Sequence, residues 1–306
     1  MHDTPVSTLR PARAERALVL GGGGSSGNAW LIGVVAGLFE AGVDVTTADL
    51  TVGTSAGSTT AAQIAGAAPT ELLAATLAAA LPQRSGPARS DQQRAPSRPV
   101  ADHLERIGTI IAASQDAADM RRRLGAAALE MDAASDGSWQ TQWRATVAAR
   151  LPGPHWPQRR LLVTAVDAET GEPVVFDHES GVDLVDAIAA SCSSGRPYRI
   201  GDRRYIDGGY RSNAENADLA AGYERVLVLS PFGGRSLQPL AWGMHLATQV
   251  DDLRARGSRV ETVFPESDSE HLFGAHAMDP SLRAPAARAG YDQGMALAER
   301  LTGFWG

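Results

Sequence analysis

The chain has 306 residues, 43% of them hydrophobic and 21% charged, with a formal net charge of −7. That length suits one large α/β domain or two small ones, and the acidic balance argues against broad electrostatic binding to nucleic acid. The single cysteine, Cys192, excludes an intramolecular disulfide and a cysteine-cluster metal site. Met1 to Arg16 reads as a flexible, polar tail without the apolar core of a signal peptide. No stretch approaches the roughly 20 apolar residues of a bilayer span. The expectation is a cytoplasmic protein whose lipid contact, if any, is peripheral.

Ala17-Leu18-Val19-Leu20 reads as a buried strand that stops at Gly21-Gly22-Gly23-Gly24, and Trp30 to Phe39 as a buried helix closed by Ala41-Gly42. A second strand, Leu50 to Val52, enters the turn Gly53-Thr54-Ser55-Ala56-Gly57, and the small residues from Ser58 to Ala68 suit a helix packed tightly on a sheet. Strand, turn and helix repeated in that order predict parallel βα units. Pro82 to Pro99, rich in Pro, Arg, Ser and Gln, reads as a surface loop.

Three helical faces follow: Val100, Leu104, Ile107 and Ile111; Met120, Leu124, Ala127 and Met131; Trp139, Trp143, Val147 and Leu151. They predict a helical insertion over about 82–157, serving either as cover for a pocket or as ordinary core. Strand character returns at Leu161 to Val166, with a hairpin-like partner at Pro173 to Phe176. Val182 to Ala190 reads as a buried helix. Arg204 to Ile206 leads into Asp207-Gly208-Gly209, and Val226 to Leu229 is a further strand stopped by Pro231. The C-terminal third adds helices around Leu237 to Leu253 and Ala286 to Leu301.

A serine flanked by Gly53 and Gly57 suits a nucleophile elbow, in which strand and helix pass close to a sharply turned residue. Gly23-Gly24-Ser25-Ser26-Gly27 also fits the pattern. Ser55 is favoured because it stands alone at its tip between small neighbours, with a small-residue helix downstream. Ser25 lies in a glycine run better suited to offering backbone N–H groups to an anion.

A serine hydroxyl needs a base, and most triads use histidine. His2, His103, His155, His178, His245, His271 and His276 do not fall in loops of evident catalytic character. The search therefore turns to a carboxylate, and Asp207 stands out. Gly208 and Gly209 let a second loop approach it closely. An aspartate near its ordinary pKa of about 3.9 is a poor base; partial desolvation and a direct hydrogen bond to Ser55 would correct that. Asp-Gly-Gly by itself is a common turn.

Taken together, Gly21-Gly22-Gly23-Gly24, Gly53-Thr54-Ser55-Ala56-Gly57 and Asp207-Gly208-Gly209 resemble, in order, the motifs of the patatin-like phospholipase family. Leu162 to Asp167, Ala190-Ser191-Cys192, Arg211-Ser212, Asn216-Ala217-Asp218 and Arg283 to Tyr291 also look like bacterial members. The resemblance implies a three-layer α/β/α sandwich with a mostly parallel sheet, forming one acyl hydrolase domain over 17–306. It implies a Ser55–Asp207 dyad without histidine that forms an acyl-enzyme on a lipid or other acyl ester. Gly22, Gly23, Gly24, Ser25 and Ala56 would bind the oxyanion or substrate, and no metal or cofactor, calcium included, is called for.

Two places depart from the family pattern. Many relatives carry Arg or Lys in the glycine loop, where this chain has Ser25, Ser26 and Asn28 around Gly27; that bears on headgroup preference. The loop Ser193 to Tyr198 looks about three residues shorter than usual. It leaves open a scaffold that binds lipid or protein without turnover. A dinucleotide site is a further reading, since Gly22 to Gly27 fits Gly-x-Gly-x-x-Gly and Asp44 stands near the place of a ribose-binding acid. That reading accounts for neither the serine turn nor the Asp-Gly-Gly.

Overall fold

A computed structural model describes residues 15–79, 98–133 and 137–306. Most of the expected tail and nearly all of the Pro/Arg-rich segment, 82–97, lie outside the described residues. Arg16 already belongs to the first strand, and Arg98 and Pro99 open a helix.

Strand β1 (Arg16–Leu20) leads into helix α1 (Gly24–Glu40), and β2 (Leu50–Gly53) into α2 (Ala56–Gly66) and α3 (Pro69–Ala78). The insertion holds α4 (Arg98–Ala113), α5 (Ala117–Ala133) and α6 (Ser138–Ala148). Then come β3 (Arg160–Asp167), β4 (Pro173–Phe176), α7 (Leu184–Ser191), β5 (Tyr198–Ile200), β6 (Arg203–Asp207) and β7 (Arg225–Leu229). Helix α8 (Leu246–Ala255), β8 (Arg259–Val263) and α9 (Arg283–Trp305) complete the chain.

The eight strands form one sheet, paired in the order β5-β6-β3-β2-β1-β7-β8 with β4 also on β3. Its central and far strands are parallel, while β4, β5 and β6 join antiparallel. The two-residue period of the strands sorts their side chains into two cores. Leu18, Leu20, Val163, Ala165, Leu227 and Leu229 face α1, α2, α7 and α9. Ala17, Val19, Leu50, Val52, Val226 and Val228 face Leu246, Val250 and Leu253 of α8. This is a three-layer α/β/α sandwich with a mostly parallel sheet.

Ile107, Ile111, Met120 and Leu124 of α4 and α5 pack on Val166 of β3 and Ile206 of β6. Trp139 and Trp143 of α6 pack on the α7 side of the core, where the Trp143 indole N–H donates to Ala189 O at 3.1 Å. The tryptophans, each partly buried, therefore pack against the core.

Beyond α3 and β5, which were not expected, three elements differ for a clear physical reason. α1 starts at Gly24 and not near Trp30, because Gly24, Ser25, Ser26 and Gly27 wind into its first turn. The helix expected from Leu237 shrinks to Leu246–Ala255; Pro239 and Gly243, with φ of 66°, hold the preceding segment in loop and a short 3-10 turn. β8 went unread because Arg259-Val260-Glu261-Thr262-Val263 buries only Val260 and Val263 and gives no continuous apolar run.

Candidate active site

Sheet register brings the site together. Val163 of β3 pairs with both Gly53 and Phe176, and Ala165 pairs with both Asp207 and Val174. Hence β2 and β6 lie on one edge of β3, opposite β4, and meet end to end. Ser55 follows one strand end and Asp207 closes the other.

Ser55 caps α2 with φ of 51° and ψ of −117°, a conformation costly to a non-glycine residue and held by what surrounds it. Gly57 is required here: a Cβ on it would run into Leu20 O of β1. The Ser55 backbone N–H donates to Ser191 Oγ at 2.9 Å, at the end of α7. Its side-chain hydroxyl donates to Asp207 Oδ2 at 2.9 Å.

Asp207 is 7% exposed. Its other oxygen, Oδ1, accepts the Gly209 N–H at 2.8 Å, and its own N–H donates to Ser193 O at 3.0 Å. Burial raises the carboxyl to about 6, against the Gly209 and Ser55 hydrogen bonds, which lower it. Gly208 likewise leaves no room for a side chain, because a Cβ there would strike Thr164. Tyr210 OH donates to Ser194 O at 3.0 Å, so the short Ser193 to Tyr198 loop is tied on both sides of the aspartate.

The glycine run stands against the elbow. A Cβ on Gly22 would lie 3.5 Å from Ser55 Cβ. The Gly22 N–H is already committed to Ala214 O at 2.8 Å, and that of Ser26 to Ala277 O at 2.9 Å. The amides of Gly23, Gly24 and Ser25 have no acceptor among the described residues, as the first turn of a helix dictates. Ala56, first in α2, is in the same position. Two helix starts with free N–H groups and positive partial charge thus stand by the elbow: α2 begins directly after Ser55, and Gly22, just ahead of α1, packs on it.

Asp44, the ribose-binding acid of the dinucleotide reading, precedes β2 and does not end it. Its Oδ1 accepts from the Thr46 N–H and hydroxyl, at 2.9 and 2.6 Å.

A family model described as patatin-like phospholipase matches residues 18–219, from β1 past Asp207. The chain belongs to the patatin-like phospholipase family. No curated protein matches it. Among solved structures it is similar to VipD from Legionella pneumophila, at 13% identity over 94% of this chain and 67% of that one, TM-score 0.42. It is also similar to the type III effector protein ExoU, at 15% identity over 95% of this chain and 54% of that one, TM-score 0.38. A further match is full-length ExoU of the Pseudomonas aeruginosa type III secretion system, in complex with SpcU: 16% identity, 92% and 53% coverage, TM-score 0.33. The chain spans only about half of the ExoU chains.

Within this patatin-like chain no histidine among the described residues contacts Ser55 or Asp207; His245, for one, is engaged with Gln238 O. Cys192 lies between the Ser58 and Thr59 hydroxyls, its thiol pushed up to about 11 by burial and then by Asp207. No described group of three or more His, Cys, Asp and Glu is arranged to hold a metal, and no described helix is long and apolar enough to cross a membrane.

Several residues around the site escaped the sequence reading of its chemistry. Asn216, left-handed at φ of 56° and fully buried, donates from Nδ2 to Thr54 Oγ1 and Gly208 O, both at 3.0 Å. It thereby pins the serine turn to the aspartate turn. Glu215 is buried behind the glycine run, where burial raises its carboxyl to about 7 and Ser230 Oγ donates to it at 2.6 Å. Only the left-handed preference of asparagine offered a local signal; the contacts themselves leave none.

Proposed function

We propose that this chain is a lipid acyl hydrolase of phospholipase A or esterase type, working through a Ser55–Asp207 dyad and an acyl-enzyme. The observation that carries the reading is the direct Ser55 Oγ to Asp207 Oδ2 hydrogen bond at the strained elbow. Ser55 Oγ attacks the ester carbonyl carbon as its proton passes to Asp207. The carbonyl π-electrons move onto oxygen, and the free amides of Gly23, Gly24, Ser25 and Ala56 receive that charge. As the tetrahedral adduct collapses, the C–O bond to the leaving group breaks and the Asp207 proton goes to the departing alkoxide. Water then attacks the acyl-enzyme, giving a proton to Asp207, which returns it to Ser55 as the fatty acid leaves.

A carboxyl poised near 6 is ionised at neutral pH yet basic enough to share a proton with a serine. Family membership supports a lipid acyl chain as substrate, met by peripheral contact. We assign the hydrolase to a single domain over 17–306 with its helical insertion at about 82–157.

The test is labelling with a fluorophosphonate probe followed by mass-spectrometric mapping. Stoichiometric label on Ser55 that disappears in Asp207→Ala is the expected result. Label on Ser25 would reverse the roles of the two glycine turns, and no label on any serine would leave a scaffold without turnover.

A further inference from the structure

Arg283 opens α9, more than two hundred residues from the glycine run, yet its guanidinium lies on the first turns of α1. Nη1 donates to Ser25 O at 2.8 Å and to Ser25 Oγ at 3.3 Å, and Nη2 donates to Asn28 Oδ1 at 3.1 Å. Every acceptor is neutral. No carboxylate among the described residues pairs with Arg283, and the charge it feels beside it is another cation, Arg150. A partly buried guanidinium set against the positive end of a helix, with no carboxylate partner, is unfavourable by itself. It becomes favourable when negative charge develops at that helix end.

The contacts continue past Arg283. Asn28, whose oxygen Arg283 holds, donates from Nδ2 to Thr60 Oγ1 at 2.8 Å and to Gln63 Oε1 at 2.9 Å. Both acceptors sit on α2, the helix capped by Ser55. Gln63 in turn donates to Arg150 O at 3.0 Å. One buried chain of hydrogen bonds therefore sets α1, with its free amides, against α2, with its serine.

We propose that Arg283 is a positioning residue for acyl transfer: through Ser25 and Asn28 it fixes the glycine-loop amides relative to Ser55 and lends that loop a positive charge for the oxyanion. This rests on the Ser55–Asp207 reading. It adds a contribution from the far end of the chain that neither motif contains.

The experiment compares wild-type protein with Arg283→Lys and Arg283→Ala on a soluble short-chain p-nitrophenyl ester, with thermal unfolding run in parallel. The expected loss in kcat is about tenfold to a hundredfold, less than removal of an oxyanion donor itself, with KM little changed and Arg283→Lys the milder variant. Millimolar guanidinium should restore part of the Arg283→Ala rate while leaving wild type unaffected, an effect that a purely structural role does not produce. Arg283→Lys and Arg283→Ala at wild-type kcat would overturn the proposal, as would losses that follow the unfolding midpoint and resist guanidinium. Wild type that neither labels on Ser55 nor hydrolyses the ester overturns the dyad reading, and the role of Arg283 with it. When wild type is competent, the two variants test Arg283 alone.

Discussion

The backbone N–H of Ser55 donates to the hydroxyl of Ser191, 2.9 Å away and 136 residues later in the chain. That bond gives the strained elbow an acceptor for an amide that would otherwise be spare, and it ties the elbow to the end of α7. Ser191 is itself buried, just ahead of the short loop whose Ser193 carbonyl accepts the Asp207 N–H.

Ser191→Ala should therefore leave the Ser55 amide without a partner. We expect a stability loss of about 1–3 kcal/mol and a fall in kcat of about tenfold or more from the displaced hydroxyl. Urea unfolding and ester kinetics on the same preparation check both. Ser191→Thr, which keeps the hydroxyl, should retain more activity than the alanine variant.

On the proposed dyad, the pH profile follows from Asp207. Only the carboxylate form accepts the serine proton, and burial has raised its pKa to about 6. The rate should hold above that value and fall with falling pH, by about tenfold per unit well below it. A plateau extending unchanged to about pH 4, near the ordinary carboxylate pKa, would speak against Asp207 as the base.

Glu215 makes a statement about stability. Its carboxyl is raised to about 7 in the fold by burial, despite the Ser230 hydrogen bond that lowers it. The folded state thus holds this proton more tightly than the unfolded chain. The stabilisation is complete below the unfolded carboxylate pKa and is lost as pH climbs through about 7. Glu215→Gln, which does not titrate, should flatten the decline of Tm between about pH 5 and pH 7. Differential scanning calorimetry across that range decides it.

Gly57 has no room for a side chain, because a Cβ would meet the Leu20 carbonyl of β1. Backbone cannot swing aside as a flexible side chain can. Gly57→Ala should cost at least about 3 kcal/mol, the upper end of overpacking penalties. The readout is soluble yield and chemical denaturation of the purified variant.

The two candidate residues, Ser55 and Asp207, were legible because each sits on a short local signal, a serine between glycines and an aspartate before two glycines. The apolar runs of β1, β2, β3 and β7 likewise made the sheet readable. Their neighbours lay in segments that resemble the family, but the roles of those neighbours were not legible, for a physical reason. Ser191 and Asn216 act through single hydrogen bonds to backbone and hydroxyl groups far away in sequence, and such contacts impose no periodicity. The start of α1 was hidden because glycines weaken a helix and read as loop; here α1 forms because its body, Trp30 to Leu38, is buried against the sheet and α9. The segment before α8 showed the opposite error, since hydrophobic spacing outweighed Pro239 and Gly243.

The end-to-end meeting of β2 and β6 along one edge of β3 makes strand alignment a condition of chemistry. A slip of β6 by one residue would carry Asp207 about 3.3 Å along the sheet and turn its side chain to the opposite face. On the proposed dyad there is no intermediate setting: a molecule with the ladder in register has an acceptor for the serine proton, and a misaligned one has none. Reactivity of Ser55 toward a covalent probe would thus count correctly folded molecules in any preparation.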